Sequence, residues 1–160
     1  MELRPYRPDD LDELIALTIE TFGPFYEQSY RPVVGELIFT NTHGEWRDDY
    51  HRHVATLHNP DENRYAAVAE DGGALVGYVA WDFDPAKRHG GIDILATAST
   101  HRRQGLAKSL CEHAFAHLKA QGIETVEIGT GGDPFHEPAR ALYESLGCTP
   151  FPTTRYYREL

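Results

Sequence analysis

Apolar residues recur along the chain with two different periods, and the switches between them mark the predicted elements. Residues 2–7 read as a short opening strand. After Pro8-Asp9-Asp10, the residues Leu11, Leu14, Ile15, Thr18 and Phe22 return at helical spacing, with an aspartate available as the cap. Gly23-Pro24 predicts the end of that helix. Residues 25–42 carry no clean period and read as a broken helix. Trp46, Tyr50, Val54 and Leu57 then mark another helix between His43-Gly44 and Asn59-Pro60. From there the pattern changes to strands. Residues 64–70 and 74–83 flank Asp71-Gly72-Gly73, which can take the positive φ of a hairpin turn, and residues 91–97 form a third strand. Ala107, Leu110, Cys111, Ala114, Phe115 and Leu118 predict an amphipathic helix that ends near Gly122. Residues 123–128 read as a buried strand, 138–146 as a short helix closed by Gly147, and 155–158 as a last strand. The order β-α-α-β-β-β-α-β-α-β predicts a mixed α/β sheet with an antiparallel hairpin and at least one parallel crossover.

Length and charge narrow the function classes. The 160 residues, 41% of them hydrophobic, suffice for one core, and no repeat or linker divides them, so a single domain over residues 1–160 is expected. Fifteen Lys+Arg against twenty-five Asp+Glu give a formal charge of −10 with no basic stripe, which argues against nucleic acid as a partner. No apolar run approaches the roughly 18 residues of a membrane span, and the start lacks the charged and apolar regions of a signal peptide. Only Cys111 and Cys148 are present, without a CxxC pair. A reduced, cytoplasmic protein is the expectation.

The strongest chemical signal is Arg102-Arg103-Gln104-Gly105-Leu106-Ala107, between a strand and an amphipathic helix. Glycine and small residues there let backbone approach a ligand, and the free N–H groups of a helix start suit a pyrophosphate. Taken alone, the same segment is an ordinary connecting loop with a solvated arginine pair. Neither GxGxxG nor GxxxxGK[ST] occurs. His51-x-His53 and His113-x-x-x-His117 have metal-compatible spacing, but no further cysteine or carboxylate completes a set. Solvated helix faces are the expectation for these pairs, with no metal.

Arg102-x-x-Gly105-x-Ala107 resembles the (Gln/Arg)-x-x-Gly-x-(Gly/Ala) signature of the GCN5-related N-acetyltransferases, the GNAT superfamily. Gly91-Ile92-Asp93-Ile94-Leu95-Ala96-Thr97 is similar to that family's fourth strand. His136-x-x-Ala139-x-x-Leu142-Tyr143-x-x-Leu146-Gly147 is similar to its C-terminal Asn-x-x-Ala-x-x-Leu-Tyr stretch. The three segments stand in the family's order over residues 64–160. The resemblance implies a central mixed, mostly antiparallel sheet flanked by helices, with strands four and five splayed around acetyl-CoA as cosubstrate. It assigns the pantetheine arm to the backbone of Leu95, Ala96 and Thr97, and the pyrophosphate to Arg102, Arg103, Gln104, Gly105, Leu106 and Ala107. Tyr143 takes the position of the residue that protonates the leaving thiolate, although a core tyrosine would also fit there. Asp93 takes the place of a glutamate that removes the amine's proton; an exposed or ion-paired strand carboxylate is the alternative. His136 stands where asparagine is usual and could donate to pantetheine or simply be a loop histidine. Cys148 replaces the usual Phe and reads as a small buried residue.

For the acceptor, Glu27, Glu36, Glu45, Asp48 and Asp49 fall in the first helices with Phe25, Tyr26, Tyr30 and Trp46. Acidic and aromatic groups together suit a cationic amine; a solvated acidic face around core aromatics is the alternative. The expected activity is acetyl transfer from acetyl-CoA to a small-molecule primary amine by direct attack in a ternary complex. A CoA-binding module without turnover is the rival. Oligomeric state is left open between a monomer and a homodimer.

Overall fold

The computed structural model describes residues 1–160. Its sheet contains β1 (Glu2–Pro5), β2 (Arg64–Asp71), β3 (Ala74–Asp84), β4 (His89–Thr97) and β5 (Thr125–Ile128), laid side by side in that order. The first three pairings are antiparallel and β4–β5 is parallel. The β2–β3 hairpin closes through Gly72 and Gly73, both at positive φ, as Asp71-Gly72-Gly73 predicts. Parallel strands need a crossover, supplied by α5 (Leu106–Ala120).

Each face of the sheet covers its own core. Ala66, Val68, Tyr78, Ala80, Ile94 and Ala96 pack against Leu14, Ile15 and Leu17 of α1 (Leu11–Pro24) and Val54 and Leu57. On the other face, Ala67, Val79, Trp81 and Ile92 meet Leu106, Leu110, Ala114 and Leu118 of α5. Between the cores the register slips: Ala80 pairs with Ile94 but Trp81 with Ile92, leaving Asp93 as an extra residue in β4. This β-bulge moves Ile92 and Ile94, two residues apart, onto opposite faces, and sends Asp93 out of the alternation altogether.

Gly23-Pro24 does not end the first helix. α1 runs through both residues into a π-helical turn (Phe25–Tyr30), then α2 (Arg31–Val34) and α3 (Glu36–His43), the broken helix expected over residues 25–42. Gly23 instead makes room for Trp46: a Cβ there would lie 3.0 Å from Cη2 of its ring. The wider π turn accompanies the break in regular helical bonding that proline imposes. α4 (Trp46–Val54) carries Trp46 into the core. β5 starts at Thr125, since Ile123 packs beneath α5 before the strand begins.

α6 (Glu137–Ser145) is the last regular element. The strand expected over 155–158 does not form: residues 149–160 are exposed and unpaired. Pro150 and Pro152 cannot donate to a ladder, and the Arg-Tyr-Tyr-Arg run finds no partner strand; only the Tyr157 ring packs, 5.7 Å from Tyr30. No helix is long and apolar enough to cross a membrane.

Candidate active site

The sheet opens between its last two strands. β5 pairs only with His89–Ile92, so β4 from the bulge at Asp93 onward has no neighbour on that side. A cleft of about 310 Å³ begins where the pairing stops, lined by Asp93, Ile94 and Leu95 of β4, Ile128 at the end of β5 with Gly129 and Thr130 after it, and His136, Ala139 and Tyr143 around α6. Phe22, Phe25, Tyr26, Tyr50 and His53 close it from the opposite side.

Of the residues singled out from sequence, Asp93, Leu95, His136 and Tyr143 meet in this cleft. Ala96 is buried in the core and Thr97 lies near the open end of β4, so neither side chain lines the cleft. The Arg102–Ala107 segment stands beyond the end of β4, exposed except for Leu106 and Ala107. Arg103 and Gly105 both have positive φ, and Gly105 is the N-cap of α5. The backbone N–H groups of residues 103–108 find no acceptor within the protein. Consecutive unpartnered donors at a helix start form a concave anion cradle, and a side chain at Gly105 would meet nothing within 4 Å. The segment therefore fits a pyrophosphate, and the unpaired edge of β4 fits an extended amide-bearing arm.

Tyr143 is half-buried, and its hydroxyl has no hydrogen-bond partner in the protein. Burial pushes its phenol above the ordinary range, with Cys111 and Cys148 adding to the effect, so it holds its proton. His136 is held by Asp133, Nδ1 to Oδ1 at 2.6 Å, and the Asp133 side chain also accepts the Phe135 N–H. Arg140 braces the turn by donating to the carbonyls of Gly131 and Asp133. The His136 ring stacks edge-on to Phe25, 4.7 Å between centroids.

Asp93 is not alone. His53, on the last turn of α4, places Nε2 2.7 Å from Asp93 Oδ1. That hydrogen bond raises the His53 pKa above the ordinary histidine value, against partial burial and the charge of Arg64. Sequence reading considers His53 only with His51, as a metal pair. A better signal is its spacing of three from Tyr50, which places both on one side of α4, and both line the cleft. No three histidine, cysteine or carboxylate side chains converge as a metal site would require.

Two expectations need correction. His117 is not on a solvated face: its Nδ1 accepts from Trp81 Nε1 at 3.0 Å, and its ring lies 4.5 Å from that of Tyr65. The acidic groups assigned to the acceptor mostly hold the protein's own arginines. Glu27 binds Arg31 and the Trp46 indole, Glu36 binds Arg31, and Asp49 binds Arg52. Arg47 lies 4.2 Å over the Trp46 ring and Arg31 4.4 Å over Phe39, so the cation–π partners here are internal. Within the cleft the lining is aromatic, and Asp93 is its single carboxylate.

A family model described as the acetyltransferase (GNAT) family matches residues 24–148. The curated protein "Uncharacterized N-acetyltransferase YsnE" of Bacillus subtilis (strain 168) is 34% identical over 116 residues, spanning 63% of this chain and 77% of that protein. A point mutant of the BH1408 protein from Bacillus halodurans shares the fold at a TM-score of 0.71, with 18% identity and full coverage (100%) of both chains. Aminoglycoside N-acetyltransferase AAC(6')-Iy in complex with CoA shares it at 0.68, with 12% identity over 99% of this chain and 93% of that one.

Proposed function

Since the chain belongs to the acetyltransferase (GNAT) family and is an acetyl-CoA-dependent N-acetyltransferase, we propose that it transfers acetyl directly to a small primary amine bound in the cleft. The observation that carries this reading is the loss of β4–β5 pairing at Ile92, opening onto a cleft that gathers Asp93, His136 and Tyr143. The backbone of Leu95, Ala96 and Thr97 offers an unpaired strand edge to the pantetheine arm, and the N–H cradle of residues 103–108 receives the pyrophosphate. His136, its Nδ1–H bonded to Asp133, keeps its lone pair on Nε2 and is positioned to accept an amide N–H of the arm.

The acceptor enters from the aromatic side. Phe22, Phe25, Tyr26 and Tyr50 offer apolar faces, and Asp93 the charge that attracts an ammonium group. A primary amine on an apolar body fits this lining better than a polycation, which would leave most of its charges without partners. Loss of the ammonium proton is driven from the Asp93 side, and Tyr143 protonates the departing sulfur. Holding both reactants in one cleft makes the attack effectively unimolecular.

Acetyl-CoA consumption across a panel of primary amines, followed with a thiol reagent, tests the reading. Amine-dependent thiol release, fastest with aromatic or aliphatic monoamines and slower with polyamines, is expected. Tight CoA binding with no amine-dependent release would instead exclude the small amines as acceptors.

A further inference from the structure

We infer that His53 is the base that takes the amine's proton and that Asp93 acts as its positioning residue; this deepens the transfer reading above and rests on it. The pair joins α4 to the bulge of β4 across 40 residues of sequence at 2.7 Å. The two side chains retain 47% and 29% of their exposure, so each reaches both its partner and the cleft. An ion pair that open adds about 0–1 kcal/mol to a fold, too little to explain a strand irregularity that aims Asp93 at the ring. A histidine bonded to carboxylate through Nε2–H keeps its lone pair on Nδ1, the tautomer of a base held in orientation by an acid.

Proton affinity favours the ring over the carboxylate. A general base works best with a pKa near the working pH, and an ordinary aspartate near 3.9 is far below it, whereas an imidazole lies close. Two further ionisable groups face the pair from the packed strands. Within the pair Asp93 favours the imidazolium; Arg64 on β2 opposes it, and Asp82 on β3 is raised by its burial first and by the Asp93 charge second. Around the cleft the titratable neighbours are Tyr26 on the π-helical turn, Tyr50 on α4, His136 just before α6 and Tyr143 on α6, and Tyr78 on β3 feels the Asp93 charge.

In the step itself, one ammonium N–H bond breaks as His53 Nδ1–H forms. The freed nitrogen lone pair bonds to the thioester carbonyl carbon, the C–S bond breaks, and sulfur leaves with the Tyr143 proton. The second proton shed by the acylated nitrogen restores the Tyr143 phenol, and the imidazolium releases its proton to solvent.

The test combines pH profiles of kcat/KM, using the fastest amine of the panel, with NMR titration of the imidazoles in the full chain. His53→Gln supplies both a kinetic variant and the assignment of the His53 signal. Wild type is expected to show an acidic limb at the pKa that NMR gives for His53. His53→Gln is expected to lose that limb and about 10²–10⁴-fold in kcat/KM with CoA affinity unchanged. Asp93→Asn is expected to keep a limb moved to lower pH, matched by a downward move of the His53 titration. A limb that survives in His53→Gln and vanishes in Asp93→Asn makes Asp93 the base and overturns the inference, as does a His53 titration indifferent to Asp93→Asn. If no amine is turned over by wild type, the transfer reading fails, and the inference with it, whatever the titration shows.

Discussion

Tyr143 separates a chemical role from a packing role at a single atom. Its hydroxyl makes no hydrogen bond within the protein, so Tyr143→Phe removes an O–H with nothing to lose in the fold. The variant is expected to keep its melting temperature and CoA affinity while kcat falls about 10-fold or more, because general-acid assistance is worth up to ~10²–10⁴-fold. Near-normal kcat with a lowered melting temperature would make it a core residue. Arg4 and Asp10 give the opposite case, a pair whose whole effect lies in stability. Two bonds of 2.9 Å join them, both side chains are nearly buried (13% and 9% exposed), and Asp10 also accepts the Arg7 N–H. Asp10→Ala leaves the Arg4 guanidinium with Glu70 as its one carboxylate, beside the Pro5 carbonyl, and is expected to cost about 3 kcal/mol in urea denaturation at neutral pH. The Arg4 hydrogen bonds hold the Asp10 carboxyl below its ordinary 3.8. Its contribution is therefore complete above pH 3.8 and is lost as pH falls through the depressed folded-state value, so wild type and variant should converge in acid.

Elements defined by local periodicity were legible, while those defined by a partner were not. The α5 face from Ala107 to Leu118 and the Gly72-Gly73 turn follow from spacing and from φ requirements that a sequence displays directly. The bulge at Asp93 was invisible, because nothing in Ile92-Asp93-Ile94-Leu95-Ala96-Thr97 marks the extra residue, which exists only relative to β3. The passage through Gly23-Pro24 was misread for a similar reason: that glycine answers to Trp46, twenty-three positions away. The His53–Asp93 contact joins two elements that no local pattern links. The cradle before α5 can be tested as an element through Gly105, whose φ of 80° disfavours any side chain. Gly105→Ala and Gly105→Glu share that strain, of roughly 1–2 kcal/mol, but only the second brings a negative charge against a phosphate. Calorimetry should find CoA binding moderately weakened in the first and abolished in the second. Equal affinities in the two would remove the cradle from the CoA site. Gly90 tests packing under α5: a Cβ there would lie 2.8 Å from Leu118 and 2.9 Å from the Asp82 carbonyl. Gly90→Ala is expected to lower stability by about 1–3 kcal/mol, read from the denaturation midpoint.

For the molecule as a whole, the net charge of −10 was the least informative of the quantities read from sequence about the acceptor. Charge counts do not reveal pairing, and Arg31 alone engages two of the five carboxylates assigned to an amine. Fold class was readable because element order constrains topology strongly. The acceptor wall was not, because Phe22 and Tyr50 look like ordinary core positions on their helices and only the placement of α1 and α4 over the sheet turns them toward the cleft. The early end of β4–β5 pairing reaches beyond catalysis. Five residues of β4, Asp93 to Thr97, present one flank of main chain with no strand beside it, and such a flank is a template for any extended chain that arrives. If the cosubstrate's amide-bearing arm occupies that flank, the nucleotide serves the protein as a reversible sixth strand. The chain's endurance then tracks its supply: CoA at about 100 times its Kd would add about 2.7 kcal/mol to stability, read as a rise in melting temperature. Starved of it, the same chain should be the first of its population to self-associate on heating, edge against edge, and light scattering with and without CoA would follow that divergence.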